Sequence, residues 1–142
     1  MKNFFFLTIT LIFLTGCMQT KNATDLTIQI RSEHKTNSGT PLYMVVKETT
    51  MSEFLMEDYH NISTQAFWKE ENPNELLKKH IIPGSSKKIH IPIHNQDKSI
   101  GIYFIFTNPG ECWKYLVDHP QSKRVKILLG EDQYQEINIY DP

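Results

Sequence analysis

The chain has 142 residues, with 15 basic and 16 acidic side chains, a formal charge of −1 and two cysteines. That length suits one ordinary domain with a real core, and the near-neutral charge gives no electrostatic case for nucleic acid. Cys17 and Cys112 are too few for a disulfide framework, so packing must hold the fold.

The first residues read as an export signal. Lys2 precedes an apolar run from Phe4 to Leu14, broken only by Thr8 and Thr10, and small residues follow before Cys17. A charged start, a short apolar stretch and a processing site have this order, whereas a membrane-spanning helix needs roughly 20 apolar residues. Leu14-Thr15-Gly16-Cys17 resembles the bacterial lipobox. The resemblance implies that residues 1–16 are removed and that Cys17, lipidated with palmitate among its acyl chains, begins the mature protein. Met18 in place of Asp implies the outer membrane of a Gram-negative cell. One acyl chain anchors only marginally and two or more hold firmly. A plain secretory signal or an uncleaved anchor is the alternative. Removal of residues 1–16 takes away Lys2 and no acid, leaving 126 residues with a formal charge of −2.

Residues 18–25 are polar and form a tether joined to Cys17, so the expected divisions are 1–16, 17–25 and a domain over 26–142. From Leu26 to Arg31 apolar and polar residues alternate, which predicts a half-buried strand. Glu33, His34, Lys35, Thr36, Asn37, Ser38, Gly39 and Thr40 are wholly polar or small and predict an exposed loop with turn chemistry at Asn37-Ser38-Gly39. A second strand is expected from Leu42 to about Lys47.

At Thr50 the period changes. Met51, Phe54, Leu55 and Tyr59 lie on one helical stripe, and Thr50 with Glu53 makes a capping box. A second helix is expected to start at Asn72 as cap, with Pro73 at its first position and Glu75 reaching back. Leu76 and Leu77 would face inward, Lys78, Lys79 and His80 would meet the negative end of the dipole, and Pro83-Gly84 would stop it. Strand patterning then resumes. Ile89, Ile91 and Ile93 alternate with His90, Pro92 and His94, and Pro92 makes this an edge strand or one that bends. Ile100 to Phe106 is apolar on both faces, as in a central strand. Val125 to Leu129 and Tyr134 to Tyr140 complete six or seven strands. The expected fold is mainly β, a two-sheet sandwich with a small helical insertion after the second strand.

No catalytic constellation stands out. His90 and His94 lie about 13 Å apart along a strand, too far to share an ion with Zn–N bonds of about 2 Å, and they read as solvated edge residues. Cys112, Trp113 and His119 could be drawn as a nucleophile and base, but the orienting group and local signatures of such sites are missing, and a lone Cys beside Trp reads as a small buried hydrophobe. Glu57-Asp58, Glu70-Glu71 and Glu131-Asp132 are adjacent pairs that do not converge. No Gly-rich phosphate loop, nucleophile elbow or metalloprotease motif occurs. A binding domain without metal or cofactor is expected. If it bound a small solute, Tyr103, Trp113 and Tyr115 would line one cavity.

The order of segments resembles the type VI secretion lipoprotein family TssJ, also called SciN or VasD. The residues that carry the resemblance are the lipobox, the strand Leu26 to Arg31, the loop Asn37-Ser38-Gly39-Thr40-Pro41 and the strand Leu42 to Lys47. Phe54 and Asp58, Leu76-Leu77, Pro83-Gly84, Ile100 to Phe106 and Trp113 continue it. The likeness runs over about residues 14–116. Lys47-Glu48-Thr49 departs from the Tyr-Gln-Leu-like segment common in that family, and Asn61 to Asn72 is unusually polar. The resemblance implies a transthyretin-like β-sandwich on the periplasmic face of the outer membrane. It implies a non-enzymatic protein that recruits the periplasmic domain of TssM, with TssL as a further component of the same complex. By position, the family's contact loop is Glu33 to Thr40 here.

Overall fold

The computed structural model describes residues 24–68 and 72–141. The expected signal, Cys17 and the tether up to residue 23 lie outside the described residues. The elements are β1 (Thr24–Ser32), a short 3-10 segment (Thr36–Gly39), β2 (Leu42–Thr49), α1 (Met51–Met56), α2 (Tyr59–Phe67), β3 (Glu75–Ile81), β4 (Ser86–Ile93), β5 (Ser99–Ile105), β6 (Lys114–Val117), β7 (Arg124–Leu129) and β8 (Tyr134–Tyr140).

Two four-stranded sheets form the sandwich, ordered β4-β1-β7-β8 and β3-β2-β5-β6. All pairings are antiparallel except β1 with β7. The alternation read in the sequence sets which faces meet. Leu26, Ile28 and Ile30 of β1, Ile89 and Ile91 of β4, and Val125 and Ile127 of β7 pack on Met44 and Val46 of β2 and Ile102 and Phe104 of β5. β4 is an edge strand, which accommodates Pro92 where no ladder donor is available.

The double-sided apolar character of β2 and β5 has a separate cause. Their other face is covered by the helices, where Val45, Tyr103 and Ile105 meet Ile62 and Ala66 of α2. The molecule therefore has three layers, sheet on sheet with helices outside the second sheet. The Thr50–Glu53 capping box is present: the Glu53 N–H donates to the Thr50 hydroxyl at 3.2 Å, and the Thr50 N–H donates to the Glu53 carboxylate at 2.8 Å. That donated bond, then the hydroxyl of Thr50, holds the Glu53 carboxyl below its ordinary range.

Several expectations change. The segment read as a helix from Asn72 is strand β3, paired with β2 from Leu42↔Ile81 to Val46↔Leu77. Asn72 does act locally, since its side-chain oxygen accepts from the Asn74 N–H at 3.0 Å and its carbonyl from the Glu75 N–H at 2.9 Å, but that is a turn opening a strand. A helix here would leave the backbone edge of β2 unpaired, so sheet completion overrides the helix-start signal. His80 accordingly packs against Tyr43, with ring centroids 4.0 Å apart, rather than capping a helix end. The second helix is α2, capped by Asp58, whose side chain accepts from the Asn61 N–H at 2.9 Å. The stripe drawn through Tyr59 therefore crosses a break: Phe54 and Tyr59 pack inward, while Met51 and Leu55 remain exposed. The short strand β6 had no distinct pattern in the sequence, and the first strand starts at Thr24, inside the expected tether.

Candidate functional site

β1 fixes the position of the Glu33–Thr40 loop. The start of β1 shares one end of the sandwich with the end of β4 and the start of β7, while its last residue, Ser32, lies at the other end beside Leu129 and Ser86. The loop emerges at that second end.

The loop is exposed as expected at six of its eight residues, and buried at two. Thr36 and Asn37 are 0% and 5% exposed. The Thr36 hydroxyl donates to the Leu129 carbonyl at 3.0 Å. The Asn37 N–H donates to the Glu131 carbonyl at 2.7 Å, and its side-chain oxygen accepts from the Thr107 N–H at 2.6 Å. Its side-chain NH₂ donates to the carbonyls of Thr40 and Pro41, each at 3.2 Å. Two small polar side chains in a polar run are thus the pegs that fasten the loop. Around them Glu33, His34, Lys35, Ser38, Gly39 and Thr40 face solvent.

The backbone is left-handed at three successive residues, with φ of 51° at Asn37, 54° at Ser38 and 78° at Gly39. Only Gly takes this region without cost, and Asn tolerates it better than most residues. A non-glycine pair held there requires a surrounding structure that over-determines it, which the bonds of Asn37 supply. Gly84, with φ of 74°, lies against the loop from the β3–β4 turn; a Cβ on it would come within 2.5 Å of His34 Nδ1.

The helical layer is fastened by buried charge. The Lys47 ammonium on β2 pairs with the Glu57 carboxylate, which also accepts from the Tyr103 hydroxyl. Lys114 Nζ donates to the carbonyls of Phe54 at 2.5 Å and Glu57 at 2.7 Å. Burial pushes the Tyr103 hydroxyl well above its usual pKa, and the bond to Glu57 and its charge push the same way. For Lys114 burial lowers the pKa, against the opposing pull of Glu57 and Asp58.

The other residues singled out in the sequence do not come together. Cys112 precedes β6 and His119 follows it, so the strand between them separates the drawn nucleophile from its base. His90 meets Thr27 at 3.2 Å on an exposed surface, and His94 is exposed beyond the end of β4. Among the described residues no three His, Cys, Asp or Glu side chains cluster in a metal-binding arrangement. Tyr103 and Trp113 pack under the helices, whereas Tyr115 packs on the opposite side, against the core between the sheets. Lying on opposite faces of the second sheet, the three do not converge, which counts against a small-solute pocket built on them.

Sequence reasoning did not single out a cleft beside the loop, lined by Asn37, Pro41, Tyr43, Tyr59, Phe67 and Thr107 among others, with a volume of about 370 Å³. Asp58 as a cap, followed by Ile62 and Ala66 four residues apart, was the available signal for the helix that forms one wall.

The chain is thus a two-sheet sandwich with helices inserted after its second strand and a pegged loop at one end. The structure is similar to the type VI secretion lipoprotein TssJ1 from Pseudomonas aeruginosa, at 17% identity over 84% of this chain and 98% of that one, with a TM-score of 0.66. It is similar to Lip from Serratia marcescens, a membrane-bound component of the type VI secretion system, at 16% identity over 79% and 96%, TM-score 0.62. A chain in a type VI membrane complex matches at 17% identity over 79% and 96%, TM-score 0.60. At these identities the likeness is one of fold. The model of the IglE N-terminal domain family matches residues 43–129, and the chain belongs to that family. No curated protein matches the chain.

Proposed function

We propose that this is an outer-membrane lipoprotein, anchored through Cys17, whose Glu33–Thr40 loop binds the periplasmic domain of a TssM protein and so helps assemble a type VI secretion membrane complex that includes TssL. It acts by binding and not by catalysis. The observation that supports the reading is that β1 begins at one end of the sandwich and delivers the loop at the other. The chain from Cys17 to Thr24 can extend about 25 Å at most, so the start of β1 stays close to the membrane. The nine residues of β1 then span roughly 30 Å, and the loop is presented away from the lipid, toward the periplasm. Its pegged backbone meets a partner already ordered, which removes part of the entropic cost of association. The similarity to TssJ1, to Lip and to a chain of a type VI membrane complex supports the same class of machine.

The test compares the natural chain with Cys17→Ser. The natural chain should incorporate labelled palmitate and fractionate with the outer membrane. The variant should be unlabelled and soluble, and should still bind the TssM periplasmic domain while secretion fails. A Cys17→Ser protein that remains in the membrane overturns the anchor. Undiminished TssM binding after replacement of Gly39 with its flanking residues removes the loop from the reading.

A further inference from the structure

Three loops are laced together at the end of the sandwich that carries Asn37. Besides the Asn37 bonds to Glu131 and Thr107, the Glu33 N–H donates to the Leu129 carbonyl at 3.1 Å and the Gly110 N–H to the Asp132 carbonyl at 2.8 Å. These bonds use backbone groups, and the carboxylates of Glu33, Glu111, Glu131 and Asp132 are left facing solvent. Across residues 33–41, 106–113 and 130–133 the only lysine or arginine is Lys35. The chain as a whole is nearly neutral, so these three loops are distinctly acidic.

The cleft opens beside these loops. Asn37, Pro41 and Thr107 form its polar wall, and Tyr43, Tyr59 and Phe67 its aromatic wall. Phe67 is 67% exposed although its ring meets Tyr43 edge-on at 5.3 Å. Tyr59 is held upright by its hydroxyl, which donates to the Phe106 carbonyl. An exposed aromatic wall with a polar wall opposite it is the form taken by the anchor sites of protein interfaces, where apolar side chains are buried and a polar rim surrounds them.

We propose that this cleft receives an apolar side chain carried on a basic segment of the protein partner, with the Glu33, Glu111, Glu131 and Asp132 carboxylates of the adjoining loops steering that segment. The inference rests on the partner-binding reading above and names the chemistry of the partner's contact. The cleft sets the apolar anchor, and the loops' excess of carboxylates selects a basic segment over an acidic one, since like charges across an interface disfavour association.

Binding of the lipid-anchored protein, purified in nanodiscs, to the periplasmic domain of the TssM protein encoded with it tests this. Phe67→Ala should weaken binding about tenfold, and Ser63→Trp, which fills the cleft from α2, should do the same. The pair Glu131→Lys and Asp132→Lys should also weaken it about tenfold and flatten its dependence on salt. The pair Met51→Ser and Leu55→Ser, on exposed positions of α1, should bind as the natural protein does. Phe67→Ala and Ser63→Trp both binding normally overturns the cleft while leaving the partner reading intact. Tighter binding after the charge reversals overturns the basic character of the segment, and equal loss from the α1 pair places the apolar contact elsewhere. No binding by the unaltered protein overturns the partner reading, and this inference with it.

Discussion

Replacement of Asn37 by alanine should be the most informative single change in the loop, because it separates two costs that the structure places on one residue. The first is polar. Without the side-chain oxygen the Thr107 N–H loses its acceptor at 2.6 Å, and without the NH₂ the carbonyls of Thr40 and Pro41 lose a donor. A buried group deprived of its partner costs about 1–3 kcal/mol and an ordinary hydrogen bond about 1 kcal/mol, so roughly 2 kcal/mol falls here. The second is conformational: alanine at φ of 51° adds about 1 kcal/mol. Asn37→Ala should therefore lower stability by about 3 kcal/mol, and Asn37→Gly, which loses the same bonds but takes the backbone freely, by about 2 kcal/mol. Denaturant unfolding followed by far-UV circular dichroism, with unchanged m-values, gives both numbers. A cost below about 1 kcal/mol for alanine would falsify the role of Asn37 as a peg, and alanine no worse than glycine would remove the conformational part.

Further outcomes follow from the same structure. Lys47→Met should destabilise by roughly 3 kcal/mol, because it leaves the half-buried Glu57 carboxylate without its cation; adding Glu57→Gln should recover part of the loss, and no recovery in the double variant would show that the pair is not coupled. The Tyr103 hydroxyl has a raised folded-state pKa, so above about pH 10 the unfolded chain releases this proton first. Stability should fall as pH rises past that value, and Tyr103→Phe should reduce the fall, which urea titrations between pH 8 and 11 resolve. The lowered pKa of Lys114 works in the opposite sense, since there the unfolded chain keeps the proton longer. Gly84→Ala should cost about 1–2 kcal/mol from its positive φ and more from collision with His34. His34→Ala in the same chain should relieve the collision alone, so strictly additive melting shifts would refute that contact.

The strand alternation of Leu26 to Ile30, Ile89 to Ile93 and Val125 to Leu129 was legible because each of these strands keeps one face on the core. The Thr50–Glu53 box was legible because capping is a local exchange of hydrogen bonds, complete within four residues. The segment Glu75–Ile81 is a strand although its local signals favour a helix, because the decision belongs to the distant edge of β2. β6 escaped notice for a similar reason: four mixed residues become a strand only because β5 offers them a partner. Within the loop, polarity alone suggested exposure, and nothing local distinguishes the buried Thr36 and Asn37 from the exposed Ser38 and Thr40.

The sequence by itself determined the β-rich class, the helical insertion after the second strand, the first helix cap and the place of the polar loop, because these depend on periodicity and on bonds between near neighbours. Only the tertiary structure decided that the loop is pegged by Asn37 to Thr107 and Glu131, that Lys47 and Tyr103 share Glu57, and that an aromatic cleft opens beside the loop. Those features join residues tens of positions apart, and only the packing of the two sheets brings their hydrogen-bonding groups within reach of one another.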